Sequence, residues 1–571
     1  MIAPMTQYSF ILLHGDKEQF LSELQGLGVV DITRSSKPVD GYSQSLLDNI
    51  ATLRRDIECT QAGSDDAMKE LLAHRDALLK EMAEVRPWGE YDRARLAAFK
   101  PHFYRVAAKK FDPTWAETYP LQVVDESEGS VHFVILGDDA LFPVKELPAP
   151  QHTPSELAVS LEKVEDKIAI HREVLEARKA EIPKMERHIR NIQADLDRYL
   201  ASMAAVPAAE DTIDTLVGFA PTECDAAVTE YLDQAGIFYL KNKATVEENP
   251  PIKFKNNKFV RMFETLTDMY GRPSYDGFDP TPFIAVFFLL FFAFCMGDAG
   301  YGLILVIAGL LLKKVPSFKD MAPLVVTLGI GTVVIGFLFH NFFSMDISQW
   351  PLFAPVKGIF IPAQIAGNDA TMILALAVGI LHICLAMVVK TIHETRTKGF
   401  LASLGTWGWT LLIVGGVIVA AVSFAGVLDA TATKWVVIGL GVISALGIFV
   451  FNDPKRNKLA NVGMGLWDTY NMITGLMGDV LSYLRLYALG LAGSMLGMAF
   501  NDMGKMVLGD GSNPILWVFF ILLVLIGHSL NIAMCALGAF VHPLRLNFLE
   551  FFKNAGYEGS GRKFNPLGNN K

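Results

Sequence analysis

The sequence predicts a multi-domain protein in two parts. Cytoplasmic α+β lobes sit on a long antiparallel coiled-coil hairpin, followed by an all-α polytopic membrane domain of about eight helices, the last two long and tilted. Three observations predict it. Residues 1–282 hold 32 Lys+Arg against 47 Asp+Glu, whereas residues 283–571 hold 18 against 13. Of the 571 residues 51% are hydrophobic and 19% charged, short of the ~25% charged that soluble domains average. Apolar runs long enough to span a bilayer, about 20 residues each, recur through the second half, while the first half carries steps of four and three.

This division excludes an ordinary soluble enzyme, and equally a channel without a large soluble half. The acidic first half argues against nucleic acid, which asks for a basic footprint. Five scattered cysteines with no CxxC pair give neither a disulfide framework nor a zinc site, and no cofactor or metal is expected. The opening MIAPMTQYSFILLHG has no basic region ahead of an apolar core, so no signal peptide is expected and the first half should be cytoplasmic.

Taken in order, Tyr8–Leu13, a helix from Lys17 and a strand near Val29–Thr33 begin a proximal lobe (1–41 and 204–260). Two arms follow, 42–86 and 154–203. The second places apolar residues at Leu157, Leu161, Val164, Ile168, Leu175, Ile182, Met185, Ile189, Ile192, Leu196, Tyr199 and Met203, interrupted at His171 and Arg178. Pro183 should bend that helix. The first arm repeats the pattern more loosely, so the pair is expected to form an antiparallel hairpin. Such arms serve either as a spacer between two distant assemblies or as a generic dimerisation coiled coil. Residues 87–150, with VHFVILG as a strand, form a distal lobe, and 211–240 read as strand–helix–strand rejoining the first lobe. The cytoplasmic domain so defined is 1–270, and the transmembrane domain 271–571.

The apolar runs lie near 283–312, 321–343, 370–390, 400–427, 435–451, 462–500 and 514–552. Their joins alternate in charge. Lys313, Lys314 and Lys319, then Lys390, Arg396 and Lys398, then Lys455, Arg456 and Lys458 mark cytoplasmic joins; single lysines, Lys357, Lys434 and Lys505, mark external ones. Both termini are then cytoplasmic, which requires an even number of crossings. The run 283–312 carries GDAGYG (297–302) at its middle and is expected to be two short helices, making eight. The last two runs exceed the hydrocarbon thickness and must tilt or project. They hold Asp468, Asp479, Arg485, Arg545 and Glu550, and charges within a membrane usually mark ion paths. At 100° per residue, Gly478, Ala488, Ala492 and Ala499 share a face with Arg485, giving a small-residue surface another helix could approach closely. Asn531, Cys535, Gly538 and His542 form a polar strip beside Arg545, with His528 somewhat off it.

The segments FETLTDMYGRPSYDGFDPTPF (263–283), MGDAGYG (296–302), SYLRLYALGLAG (482–493) and HPLRLNFLEFFKNAGYEGSGRKFNPL (542–567) together resemble the membrane stator subunit of V-type and archaeal-type rotary ATPases, called subunit a or subunit I. The resemblance spans the whole chain, and the KNAGYEG tail is similar to the prokaryotic branch. It implies a non-catalytic subunit that couples H+ or Na+ translocation to rotation, working against a proteolipid ring through two half-channels. It implies as partners the ring, peripheral-stalk subunits at the cytoplasmic domain, a nucleotide-binding head indirectly, and the lipid bilayer of a prokaryotic plasma membrane. It places the indispensable arginine at Arg485 and a second at Arg545. Half-channel candidates are Glu550, His542, Asp479, His528, Asn531 and Ser482. Two positions depart from eukaryotic members, which have a histidine where this chain has Gly493 and a glutamate where it has Cys535.

Plainer roles stand beside these: Arg485 as a salt-bridge partner of Asp479 or Glu550, Arg545 as a structural anchor, His528 as a packing residue, Asp298 as a helix cap and Asp468 as an interfacial charge. A stand-alone secondary ion transporter with a cytoplasmic coiled coil is the alternative function. Such proteins often pair broken helices in two repeats, whereas GDAGYG occurs once here. No GxxxxGK[ST] occurs either, so nucleotide hydrolysis would belong to other subunits.

Overall fold

The computed structural model describes all residues except 35–39, 128, 138–141, 209–211, 316–317, 352–354, 356–357, 363, 366, 452–457, 510–512 and 569–571. Lys357, Lys455 and Arg456, three of the join charges, lie outside the described residues. The chain is mostly helical with an α/β region towards its N-terminus, and it divides into two compact units. One comprises Met1–Leu12, Val29–Ile32 and Thr215–Pro566; the other comprises Leu13–Gly28, Thr33–Asp214 and Leu567–Lys571.

The second unit holds the helices of the two arm segments and the sheet within residues 87–150. Four helices make the arms: α1 (Gly41–Ala62), α2 (Asp66–Val85), α3 (Pro154–Lys179) and α4 (Ile182–Ser202). Ile50 and Ile57 of α1 are buried with Ile189 and Ile192 of α4, and Met68 of α2 with Val164, Ile168 and Leu175 of α3. Each arm is broken rather than bent. The first stops at Gly63, left-handed at φ 63°, and restarts where Asp65 accepts from the Met68 N–H. The second stops at Lys179, and Pro183 sits in the first turn of α4, where its missing N–H costs no helical bond. His171, which interrupts the apolar spacing, donates from Nε2 to Asp65 at 2.8 Å, so the polar residue in one seam meets the break in the other. Within residues 87–150, β3 (Pro101–Ala107), β4 (Leu121–Ser127), β5 (Ser130–Leu136) and β6 (Glu146–Leu147) pair antiparallel in the order β4-β5-β3-β6. The central strand β5 is buried on both faces: Val131, Phe133 and Ile135 pack with Tyr104, and Val134 packs with Trp88 and Phe103.

The first unit contains most of a five-stranded sheet built from β1 (Met5–Leu13), β2 (Asp31–Ile32), β7 (Val206–Ala208), β8 (Ile213–Pro221) and β9 (Phe238–Lys243). Its order is β2-β8-β1-β9, with β7 added to β8. Tyr8 and Phe10 are fully buried beneath it, and Asp225 takes the Tyr8 hydroxyl at 2.8 Å and the Lys241 ammonium at 2.9 Å. Desolvation and that acceptor both push the Tyr8 hydroxyl above its ordinary range.

In the same unit eight apolar helices follow among the described residues. Five are long and apolar enough to cross a membrane: α8 (Ala370–Lys398), α9 (Leu401–Phe424), α10 (Ala430–Val450), α11 (Lys458–Leu508) and α12 (Pro514–Arg545, apolar and helical on to Ala555). The other three are shorter: α5 (Thr281–Met296), α6 (Ala299–Leu312) and α7 (Ala322–Leu338). The break between α5 and α6 falls where glycine is needed: Gly297 closes α5 with φ 54°, and Asp298 caps α6 through the N–H groups of Gly300 and Tyr301. Asp298 does more than cap, because the N–H groups of Phe343 and Ser344 also reach it, at 2.9 and 2.6 Å. One buried carboxylate thus pins the loop after α7, where His340, Phe343 and Ser344 hold positive φ. The core is aromatic: Phe287, Phe288, Phe291 and Phe292 of α5 are buried among α8, α11 and α12.

The 51 residues of α11 span about 75 Å at 1.5 Å each, over twice a ~30 Å hydrocarbon layer. In α12 Pro543 is followed by a π-helical turn, Leu546–Phe551. The carbonyl of Pro543 accepts both from the Leu546 N–H and, at 2.8 Å, from the Asn547 side chain.

Candidate functional site

Two separate polar groups lie on α11 and α12. The first surrounds Arg485. Its guanidinium is half-buried, with Nη1 shielded from solvent and no hydrogen-bond partner among the described residues. Gly478, Ala488, Ala492 and Ala499 are all exposed in this chain. His542 lies within electrostatic reach of both Arg485 and Arg545, and its Nδ1 is buried with no hydrogen-bond partner among the described residues. Glu550 is buried, faces the Ser482 hydroxyl, and has Asp479 and Arg545 as charged neighbours; its Oε2 has no hydrogen bond among the described residues. Ser482 also donates to the Gly478 carbonyl at 3.0 Å. Arg545 itself is exposed.

Asp479 takes a different partner from the one the plain reading offers. It accepts from the Asn554 amide at 2.8 Å and the Lys553 ammonium at 3.3 Å. Lys553 and Asn554 were not among the candidates, although they stand three and four residues past Glu550, one turn on the same helix face. No ion pair joins Arg485 to Asp479 or Glu550 among the described residues, which leaves its charge available to an outside anion.

The second group contains His528 and Asn531. The Tyr301 hydroxyl lies 2.7 Å from His528 Nδ1, and His528 Nε2 lies 2.9 Å from Asn501 Oδ1. Asn501 donates to the Phe343 carbonyl, and Asn531 donates to both Tyr301 and the Gly493 carbonyl, each at 2.8 Å. An amide oxygen only accepts, so Nε2 carries the proton and Tyr301 donates to Nδ1. Both ring nitrogens are then occupied. The network binds α6, α11, α12 and the loop after α7. Tyr301 stands inside GDAGYG, so that motif supplied a signal for its partner that apolar periodicity did not.

Two cavities flank Arg485 along α11. One of about 250 Å³ is lined by Leu486, Tyr487, Gly490 and Ser494 of α11 with His340, Asn341, Ser344 and Asp346 of the loop after α7. Another of about 380 Å³ is lined by Asp468, Asn471 and Gly475 of α11 with Lys390, Thr406, Lys553 and Asn554. Their nearest α11 residues, Leu476 and Leu486, are separated by about 15 Å of helix. Neither cavity was visible in the sequence, because each is assembled from segments far apart in the chain.

These features define a membrane protein with an N-terminal α/β region, in which long helices keep an arginine, unpaired among the described residues, between two cavities. The chain belongs to the V-type ATPase 116kDa subunit family, whose model matches residues 141–351 and 468–568. Among its relatives, the A-type ATP synthase subunit I of Methanocaldococcus jannaschii is 33% identical over 355 residues, covering 57% of this chain and 50% of that protein. The subunit of the same name from Pyrococcus abyssi is 35% identical over 346 residues, covering 58% and 50%. The match to V-type ATP synthase subunit I 1 of Treponema pallidum runs 634 residues at 25% identity, covering 99% and 100%. The chain thus spans about half the length of the archaeal relatives it matches and the full length of the spirochaete one.

Proposed function

We propose that the protein is the non-catalytic membrane subunit of a V/A-type rotary ATPase or ATP synthase. It passes H+ or Na+ between α11–α12 and a proteolipid ring. The observation that carries this reading is the Arg485 guanidinium, half-buried and unpaired among the described residues on an exposed small-residue face, with one cavity on each side along α11. A guanidinium stays charged in any protein setting. A ring carboxylate arriving beside it must therefore ionise, releasing its cation, and reload once past. The cavity at Ser494 and Asp346 serves as the external access, and the one at Asp468 and Asn554 as the cytoplasmic access. The fixed charge between them repels a cation leaking directly from one to the other. His542, Glu550, Ser482 and Asp479 line the inner approach, and Arg545 tunes it.

The same reading assigns 1–270 to a cytoplasmic domain on a hairpin arm that docks peripheral-stalk subunits. It assigns 271–571 to eight crossings of a prokaryotic plasma membrane with both termini inside. ATP chemistry belongs to a soluble head reached indirectly. Purification from the native membrane tests the assignment: the chain should bring with it a proteolipid ring and a nucleotide-binding head. A chain that purifies alone and transports an ion alone would instead be a secondary transporter. Varying sodium during ATP hydrolysis by the intact complex then separates Na+ from H+.

A further inference from the structure

The residues after α12 return to the soluble lobe of their own compact unit. The chain turns at Gly556, φ 66°, and the buried Tyr557 gives its hydroxyl to the Gly271 carbonyl at 2.7 Å. Residues 561–564 then pair with two segments that precede α5. The Gly561 N–H donates to the Arg272 carbonyl at 2.8 Å, the Ile252 N–H to Arg562 at 2.6 Å, and the Phe564 N–H to Ile252 at 3.1 Å. Lys563 bridges to Asp268 at 3.0 Å, and Asn565 N–H reaches Asp31 Oδ2 at 2.9 Å. Asp31 belongs to β2 of the five-stranded sheet and is wholly buried, with Arg562 3.8 Å away. The backbones touch: a Cβ on Gly561 would stand 1.8 Å from the Pro273 carbonyl oxygen, and one on Gly271, φ 126°, 2.6 Å from that of Gly559.

A loose end needs no buried carboxylate, no strand pairing and no side-chain-free crossing. This segment starts six residues beyond Glu550, on the helix that carries Arg545 and His542. We infer that residues 556–566 are a tie that positions the Arg545–Glu550 end of α12 against rotor drag, by locking it to the sheet through Asp31 and through backbone pairing at Gly561. The inference rests on the reading of a subunit that works against a turning ring. Under that load an untied helix end is displaced, and the ring slips past without delivering its ion. Asp31 and Gly561 are therefore positioning residues.

The test uses the intact complex in sealed vesicles, with ATP hydrolysis and ion uptake measured together. Gly561→Val and Asp31→Asn should keep hydrolysis per assembled complex within about twofold, while ions moved per ATP fall at least threefold, more so against an opposing gradient. A tail with only a folding role would lower the amount of complex and leave that ratio unchanged, and this result would overturn the tie. Ile252→Cys with Lys563→Cys decides the matter if the first variants do not assemble. Oxidative cross-linking of that pair should leave the ratio intact, whereas a ratio that collapses on cross-linking means the tail must move, and the tie is wrong. Should the parent complex show no ATP-driven ion uptake at all, the functional reading fails rather than the tie.

Discussion

Replacing Arg485 by alanine removes a charge that has no protein partner among the described residues, so the effect falls on whatever anion visits the site. A unit charge about 4 Å away, at an effective dielectric near 20, favours an ionised carboxylate by about 4 kcal/mol. Since about 1.4 kcal/mol is tenfold, the ionised ring site loses about a thousandfold in population when the charge is deleted. ATP-driven ion uptake into sealed vesicles should fall below a hundredth of the parent rate for Arg485→Ala, with normal assembly. Arg485→Lys should fail too, because an ammonium lacks the planar fork and can shed its proton when buried. Arg545 is exposed and belongs to α12, not to the helix that carries the small-residue face, and Arg545→Ala should only weaken uptake, by about three- to tenfold. The assay is uptake per ATP hydrolysed, with the ring's presence confirmed in the same preparation. Coupled uptake by Arg485→Ala at a tenth of the parent rate or more would refute the electrostatic argument, whatever the family.

Three further outcomes are expected. Phe318→Cys should be labelled by an impermeant thiol reagent from the cytoplasm and Trp350→Cys or Ala430→Cys from outside; external labelling at 318 would remove the two-crossing hairpin at Gly297. Tyr301→Phe strands His528 Nδ1, and an unsatisfied buried group costs about 1–3 kcal/mol, so thermal stability should drop while ions per ATP are kept; a lost ratio with unchanged stability would return His528 to the ion path. Asp268 is desolvated, which by itself would raise its carboxyl, but Arg272 and Lys563 overcome this and hold it below the ordinary range. A carboxyl held low in the folded state stabilises above its unfolded value near 3.9 and loses that contribution as pH falls through the folded one. Proteolytic release of residues 556–566 should therefore rise only below about pH 4, and release that begins near neutrality would contradict the pairing.

Much of this chain could be read without coordinates, for a physical reason. Unsatisfied backbone in hydrocarbon is so costly that a span must be a long apolar helix, and that requirement is written locally. The five long helices and the break at Gly297 follow from it, since a left-handed residue between two helices asks for glycine. The place of Arg485 on a long apolar helix was legible for a related reason, and a cation kept inside such helices is rarely accidental. Tertiary structure alone decided which polar group meets which. Asp479 takes Lys553 and Asn554 rather than Arg485, His528 is consumed by Tyr301 and Asn501, and His171 finds the break beside Asp65. Asn565 and Asp31 meet across 534 residues of sequence. Hydrogen bonds act over about 3 Å, and only the packing of the whole core sets which distant side chains come that close.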